Sequence, residues 1–166
     1  QPFLVINSDI LFDINLRAVF EFHIGHSHPV TVVMHDYPEF NSVWLDGQGF
    51  VVGFDPNAKN HPAACSCLAF TGIQIVDPVM LEFIPENQFI SSIDVYGKMI
   101  RSGRKIATYI PSDHYWRDIG SPESYTMAVV EKTAPMAFLK AYGKMPSTPM
   151  AIKLLAGDGS DRKWFR

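Results

Sequence analysis

The chain has 166 residues, of which 47% are hydrophobic and 19% are charged. This balance is typical of a globular protein with a buried core, and the length suits one domain, or one domain with part of a second. The formal net charge of −3 offers no basic surface for a phosphate backbone, so we expect no nucleic-acid partner. No apolar run approaches the length of a membrane span and no leader precedes the first predicted strand, so we expect no membrane association.

The first predicted element is a strand at Phe3-Leu4-Val5-Ile6. Its continuous apolar run indicates a strand covered on both faces, as in a parallel sheet. The run ends at Asn7-Ser8-Asp9, which puts Asp9 just beyond the carboxyl end of a strand, where ligands sit in open α/β sheets. A simple turn made by these three polar residues is the alternative.

The next segments alternate between helical and strand patterns. Apolar residues from Leu16 to His23 recur at helical spacing, and Val30 to Met34 is almost entirely apolar, which is the strand–helix–strand order of a parallel sheet. Asp46-Gly47-Gln48-Gly49 separates two short β-rich runs and indicates a hairpin. Residues 67–76 form a further apolar run and predict a third buried strand.

Capping signals mark the helices in the second half of the chain. Asp77-Pro78 begins a short helix, and a second helix ends at Gly103. Residues 104–111 predict another strand. Ser121-Pro122 begins a helix that we expect to run to about Met136, after which prolines and small polar residues indicate a linker.

Two groups of residues with possible metal chemistry lack the spacing that such sites need. Cys65 and Cys67 are too few for a disulfide framework, and zinc would require further ligands nearby. We therefore expect two reduced thiols in a cytoplasmic protein. His23, His26 and His28 cluster, but no carboxylate or cysteine completes a metal-binding spacing, so we expect them in a surface loop.

Three stretches resemble, in chain order, segments of the sugar-1-phosphate nucleotidylyltransferases, also called nucleotide-sugar pyrophosphorylases. They are FLVINSDILFDI, FTGIQIVDPVMLEFIP and YWRDIGSPESY. The last is the most specific, and the resemblance extends from residue 1 to about residue 135. It implies an α/β, Rossmann-like, mostly parallel sheet with flanking helices, the nucleotide-diphospho-sugar transferase fold. The glycine-rich loop with which this family cradles the triphosphate has no counterpart in the chain, so we expect an N-terminally truncated domain that is inactive alone.

The resemblance also implies a reaction. A uridylyl or guanylyl group would pass from a nucleoside triphosphate to a sugar-1-phosphate, with release of pyrophosphate and with Mg²⁺ neutralising charge. Asp9 and Asp118 match the two metal-binding aspartates of the family, and carboxylates are ligands that Mg²⁺ accepts. We therefore assign both as catalytic and metal-binding residues.

Three further residues are candidate substrate ligands by the same resemblance. Thr71 and Gly72 lie on the strand that lines the sugar pocket in relatives, where a glycine lets a ligand approach the backbone. A bulge or packing glycine is the alternative. Lys59 is the cation nearest to the position of the family's Glu-Lys-Pro phosphate ligand, and a solvated loop lysine is the alternative.

The end of the chain resembles the start of choline-kinase-like and aminoglycoside-phosphotransferase-like domains. We therefore predict the C-terminal two-thirds of a nucleotidyltransferase domain at 1–136, a linker at 137–150 and the possible start of a kinase-like domain at 151–166. A flexible polar tail is the alternative. An unpaired sheet edge and exposed apolar residues favour a homo-oligomer. A non-catalytic nucleotide- or sugar-sensing module, or an assembly module of the same fold, is the alternative function.

Overall fold

A computed structural model describes residues 1–54, 66–155 and 164–165. Its mixed α/β architecture, a central sheet with helices, confirms the predicted fold class. The chain divides into two compact units, Gln1–Trp116 and Arg117–Arg166. None of the described helices is long and apolar enough to cross a membrane.

The described elements follow the alternation that the sequence predicts. In chain order they are β1 (Phe3–Ile6), β2 (Ile10–Phe12), α1 (Leu16–Ile24), β3 (Val30–His35), β4 (Val43–Leu45), β5 (Val51–Gly53), β6 (Ser66–Val76), a 3₁₀ helix (Pro78–Phe83), α2 (Ser92–Arg101), β7 (Ala107–Tyr109), β8 (Trp116–Asp118) and α3 (Pro122–Tyr142).

The long strand β6 organises the six-stranded sheet, whose order is β5-β4-β6-β3-β7, with β1 also paired to β6. Both β1 and β3 are antiparallel to β6, and β7 is parallel to β3. Strands β1, β3 and β7 therefore run in one direction, as a parallel sheet requires. The pairing nevertheless differs from the expected mostly parallel sheet, because β6 enters the sheet in the reverse direction. Among the described pairings of this sheet, four are antiparallel and one is parallel.

Strand β3 is buried on both faces and separates two hydrophobic clusters. Val32 and Met34 belong to one cluster, with Tyr96 of α2, while Val33 belongs to the other, with Val19 of α1. This matches the alternation of side chains along a strand. The apolar run of β3 therefore predicted its burial correctly.

Strand β1 is much less covered than its apolar run predicts. Phe3 is 39% exposed, and Leu4 and Ile6 are each 38% exposed. The prediction of a strand buried on both faces is wrong here. In the described part of the chain, β1 pairs with β6 alone, so its second edge has no strand beside it.

The helix termini match most of the capping signals. Asn15 accepts hydrogen bonds from the first turn of α1, and Gly103 follows α2 with a φ of +84°. The third helix runs to Tyr142, beyond the predicted end near Met136, even though it contains Pro135. An interior proline removes one helical hydrogen bond but does not always end the helix. The boundary predicted between the domain and the linker stays a prediction.

Candidate functional site

The carboxyl ends of β1 and β3 lie at the same end of the sheet, because both strands run opposite to β6. The turn Asn7-Ser8-Asp9 follows β1 there, and His35 ends β3. The carboxylate of Asp9 is exposed, and it makes no hydrogen bond or ion pair within the described residues. Its position beyond the strand end is the one that its sequence context predicts.

A bulge interrupts β6 near this end of the sheet. Three residues of β6, 71–73, lie opposite the single residue Val33 of β3. Gly72 adopts a φ of +81°, and a Cβ added to it would lie 2.7 Å from Cγ of Asn7. The Asn7 N–H also donates to the Gly72 carbonyl at 2.9 Å. Gly72 is thus required both by the backbone conformation and by the close approach of Asn7.

Thr71 is 1% exposed, and its hydroxyl holds the bulge together. The hydroxyl donates to the Val33 carbonyl at 2.8 Å and accepts the Ile73 N–H at 3.3 Å. The Thr71 carbonyl accepts the indole N–H of Trp116 at 2.9 Å. The Thr71 side chain therefore serves the backbone of the bulge, and the assignment of Thr71 and Gly72 to a sugar site stays a prediction.

A cluster of rings lies against Trp116. The His35 ring is 5.5 Å from the Trp116 ring, and His35 Nδ1 is 2.7 Å from His114 Nε2. The pKa of His35 is lowered, mainly by burial and then by the charge of His114, while Asp36 acts in the opposite direction. No local pattern in the sequence predicts this pair, because its members are 79 residues apart.

The remaining predicted site residues are Asp118 and Lys59. Asp118 ends β8 and is half-buried, and its Oδ1 accepts the Gly120 N–H at 3.1 Å. Lys59 and Cys65 lie outside the described residues. Within those residues, no group of three or more His, Cys, Asp or Glu side chains is arranged to hold a metal ion. Cys67 has a free thiol whose pKa is raised by burial.

The cluster of three histidines is not confined to a surface loop. His23 is 3% exposed, and its Nδ1 lies 2.9 Å from Oγ1 of Thr31, which is also 2.9 Å from Nε2 of His26. The His28 N–H donates to His26 Nδ1 at 3.1 Å, so His26 carries its proton on Nε2 and donates to Thr31. The surface expectation is wrong for His23 because α1 turns it toward β3, where Thr31 satisfies it. Burial is the main cause that lowers the pKa of both His23 and His26.

Comparison with known proteins places the chain in a family. Residues 1–134 match the family of nucleotidyl transferases, and the chain belongs to that family. The chain spans about a third to two-fifths of the length of the curated relatives described next.

Three relatives illustrate the similarity. The chain is 25% identical over 128 residues to the mannose-1-phosphate guanylyltransferase catalytic subunit beta of Drosophila melanogaster, covering 75% of the chain and 33% of that protein. It is 26% identical over 138 residues to a UTP–glucose-1-phosphate uridylyltransferase of Synechocystis sp., covering 78% and 34%. It is 26% identical over 147 residues to a mannose-1-phosphate guanylyltransferase of Mycobacterium tuberculosis, covering 84% and 40%.

A solved structure supports the fold. The crystal structure of a protein described as a glucose-1-phosphate thymidylyltransferase from Bacillus anthracis matches with a TM-score of 0.62 at 18% identity. The match covers 76% of this chain and 52% of that one.

Proposed function

We propose that this chain is part of an enzyme that transfers a uridylyl or guanylyl group from a nucleoside triphosphate to a sugar-1-phosphate. The observation that carries the proposal is the family match over residues 1–134. The relatives are described as guanylyl- and uridylyltransferases of mannose-1-phosphate or glucose-1-phosphate. Nucleotidyl transfer to a sugar-1-phosphate is the chemistry that their names share.

In this reaction, a phosphate oxygen of the sugar-1-phosphate attacks the α-phosphorus of the triphosphate. The bond from that phosphorus to the bridging oxygen breaks, and pyrophosphate leaves. Both reactants are anions, so positioning and charge neutralisation supply most of the catalysis. This chain would hold the sugar phosphate and supply carboxylates to the metal ion.

We assign metal binding to Asp9 and Asp118. Carboxylate oxygens together with phosphates and waters are the donors that Mg²⁺ takes, and bound Mg²⁺ would neutralise the phosphate charge. The carboxylate of Asp9 is exposed and has no hydrogen-bond or ion-pair partner among the described residues, so its oxygens could bind a metal ion. The Gly120 N–H engages one oxygen of Asp118 and thereby fixes the orientation of the carboxylate. The metal-ligand role of each residue rests on the family resemblance.

The proposed sugar site is the bulge that contains Thr71 and Gly72. Thr71 and Gly72 are buried, and Asn7 fills the space beside Gly72, so the bulge would shape the sugar site through its backbone and through the turn at Asn7. The Thr71 hydroxyl keeps the bulge in one conformation. Lys59 is proposed as a ligand of the sugar phosphate on the resemblance alone.

The experiment that tests the function measures metal-dependent binding. Mn²⁺ replaces Mg²⁺ as a paramagnetic probe, and glucose-1-phosphate and mannose-1-phosphate are titrated in its presence by ³¹P NMR. We expect Asp9→Asn and Asp118→Asn each to weaken Mn²⁺ binding by at least about tenfold. Asp36→Asn, a change of the same kind at an exposed site, should leave it unaltered. Equal Mn²⁺ binding by all variants, or no binding of either sugar phosphate, would overturn the assignment.

We also propose that the chain forms a homo-oligomer and works in the cytoplasm. The exposed apolar residues of β1 and its second edge support association. The free thiol of Cys67 is in keeping with a reducing compartment.

A further inference from the structure

The contact between His35 and His114 joins the end of β3 to the loop that leads into β8. The two facing nitrogens, His35 Nδ1 and His114 Nε2, are 2.7 Å apart. One of them must therefore donate a hydrogen and the other must accept it. The rings of Trp116 and Tyr37 lie 5.5 Å and 6.0 Å from the ring of His35, so the pair is part of the packing around Trp116.

Trp116 extends this contact to the bulge in β6. Its indole N–H donates to the Thr71 carbonyl at 2.9 Å. The next residue, Gly72, accepts the N–H of Asn7 at 2.9 Å, and Asn7 opens the turn that holds Asp9. A continuous path of contacts therefore connects the two imidazoles with the proposed sugar site.

We propose that His35 and His114 are positioning residues for the bulge at Thr71 and Gly72, and that they act through Trp116. Neither imidazole needs to contact a substrate in this role. The importance of the bulge for sugar binding rests on the proposed function, whereas the coupling between the pair and the bulge does not. The two can therefore be tested separately.

The proton count of the pair makes the coupling sensitive to pH. When both imidazoles are neutral, or when only one is protonated, one of the two facing nitrogens can still carry a hydrogen and donate it to the other. When both imidazoles are protonated, both facing nitrogens carry hydrogen and both rings are positive, so the contact breaks. Acidification should therefore release Trp116 and loosen the bulge.

The charges around the pair set the direction of this response. Burial and the charge of His114 lower the pKa of His35, while Asp36 at the end of β3 raises it. Asp113 is the charged neighbour of His114 along the loop, and the rings of Tyr37 and Trp116 also face His35. The lowered pKa of His35 therefore opposes protonation of this ring, which keeps the contact near neutral pH and makes acidification the direction in which it is lost.

Substitutions at His114 separate its hydrogen bond from its titration. Glutamine at this position keeps a side-chain amide near the place of Nε2 but cannot be protonated, whereas alanine removes the contact. His28→Gln is the matched control, because it alters a histidine outside the pair. The readouts are NMR signals of the backbone amides of Thr71 and Gly72 and of the imidazoles, followed from about pH 7.5 to about pH 5.

We expect the Thr71 and Gly72 amide signals to follow the same transition as the imidazole of His35. In His114→Ala they should already take their acidic positions at neutral pH, while in His114→Gln they should stay near their neutral positions throughout. His28→Gln should behave as the wild type. Unchanged amide signals in His114→Ala, or amides that ignore the transition of the pair, would overturn the proposal. The signals of α2 report whether each variant is folded.

Binding of glucose-1-phosphate gives the functional readout. The ligand ionises identically for every variant, so a difference between the wild type and His114→Gln isolates the contribution of the protein. We expect acidification to weaken binding several-fold more in the wild type. An equal loss in both proteins would contradict a role of the pair at the sugar site. If no glucose-1-phosphate binds at any pH, the proposed function fails, and the amide signals alone decide the coupling.

Discussion

Gly72 combines two requirements that a side chain would violate. Its φ of +81° costs an alanine about 1–2 kcal/mol, and the added Cβ would also lie 2.7 Å from Asn7 Cγ. Gly103 has a similar φ of +84° but no atom within 4 Å of an added Cβ. We therefore expect Gly72→Ala to lower the free energy of unfolding clearly more than Gly103→Ala does. Urea unfolding of both variants measures the difference, and equal losses would show that Asn7 simply moves aside.

Candidate site residues could be proposed where a local motif marked them. Asp9, Thr71 and Gly72 stand in stretches that resemble a family, so the sequence could single them out. The contact of Asn7 with Gly72 could not be foreseen, because it depends on a bulge that shifts the register of β6. The same holds for the pair His35–His114, whose members meet only in the folded chain.

The hairpin formed by β4 and β5 depends on one carboxylate. Oδ1 of Asp46 accepts the N–H groups of Gln48 and Phe50 at 2.8 Å and 2.9 Å. Removing both contacts with Asp46→Ala should cost about 1–2 kcal/mol of the free energy of unfolding. Asp46→Asn keeps an acceptor oxygen and should lose much less. Thermal unfolding compares the variants, and similar losses for alanine and asparagine would mean that the acceptor is unimportant.

Strand existence was easier to predict than strand direction. The apolar runs located β1, β3 and β6, but a strand buried on both faces has the same pattern in either direction. The residues of β6 therefore do not show that this strand runs antiparallel to β1 and β3. The exposure of a strand also depends on distant parts of the chain, so the apolar run of β1 does not reveal what covers it. The hairpin is different, because the turn residues from Asp46 to Gly49 specify it locally.

At the scale of the molecule, the histidines should make stability depend on pH. Burial is the main cause that lowers the pKa of His23, His26 and His35 in the folded chain, so the unfolded chain binds protons more readily. Stability is then complete above the ordinary histidine pKa of about 6.5 and falls as the pH drops through the lowered values. We expect urea unfolding to show this decline between neutral pH and about pH 5.5. His23→Gln should make the decline shallower, and an unchanged slope would exclude a contribution from His23.

The exposed part of β1 should also decide how the chain assembles. Phe3, Leu4 and Ile6 are each more than a third exposed, and in the described residues β1 pairs on one edge only. Such an edge pairs readily with another chain, and the apolar side chains add contact area. We expect light scattering to report a homodimer, and the double variant Leu4→Lys, Ile6→Lys to be monomeric, because lysines on an edge strand oppose pairing. Ile24→Lys, at the exposed end of α1, should leave the dimer intact. A wild-type chain that stays monomeric at high concentration would show that β1 does not mediate association.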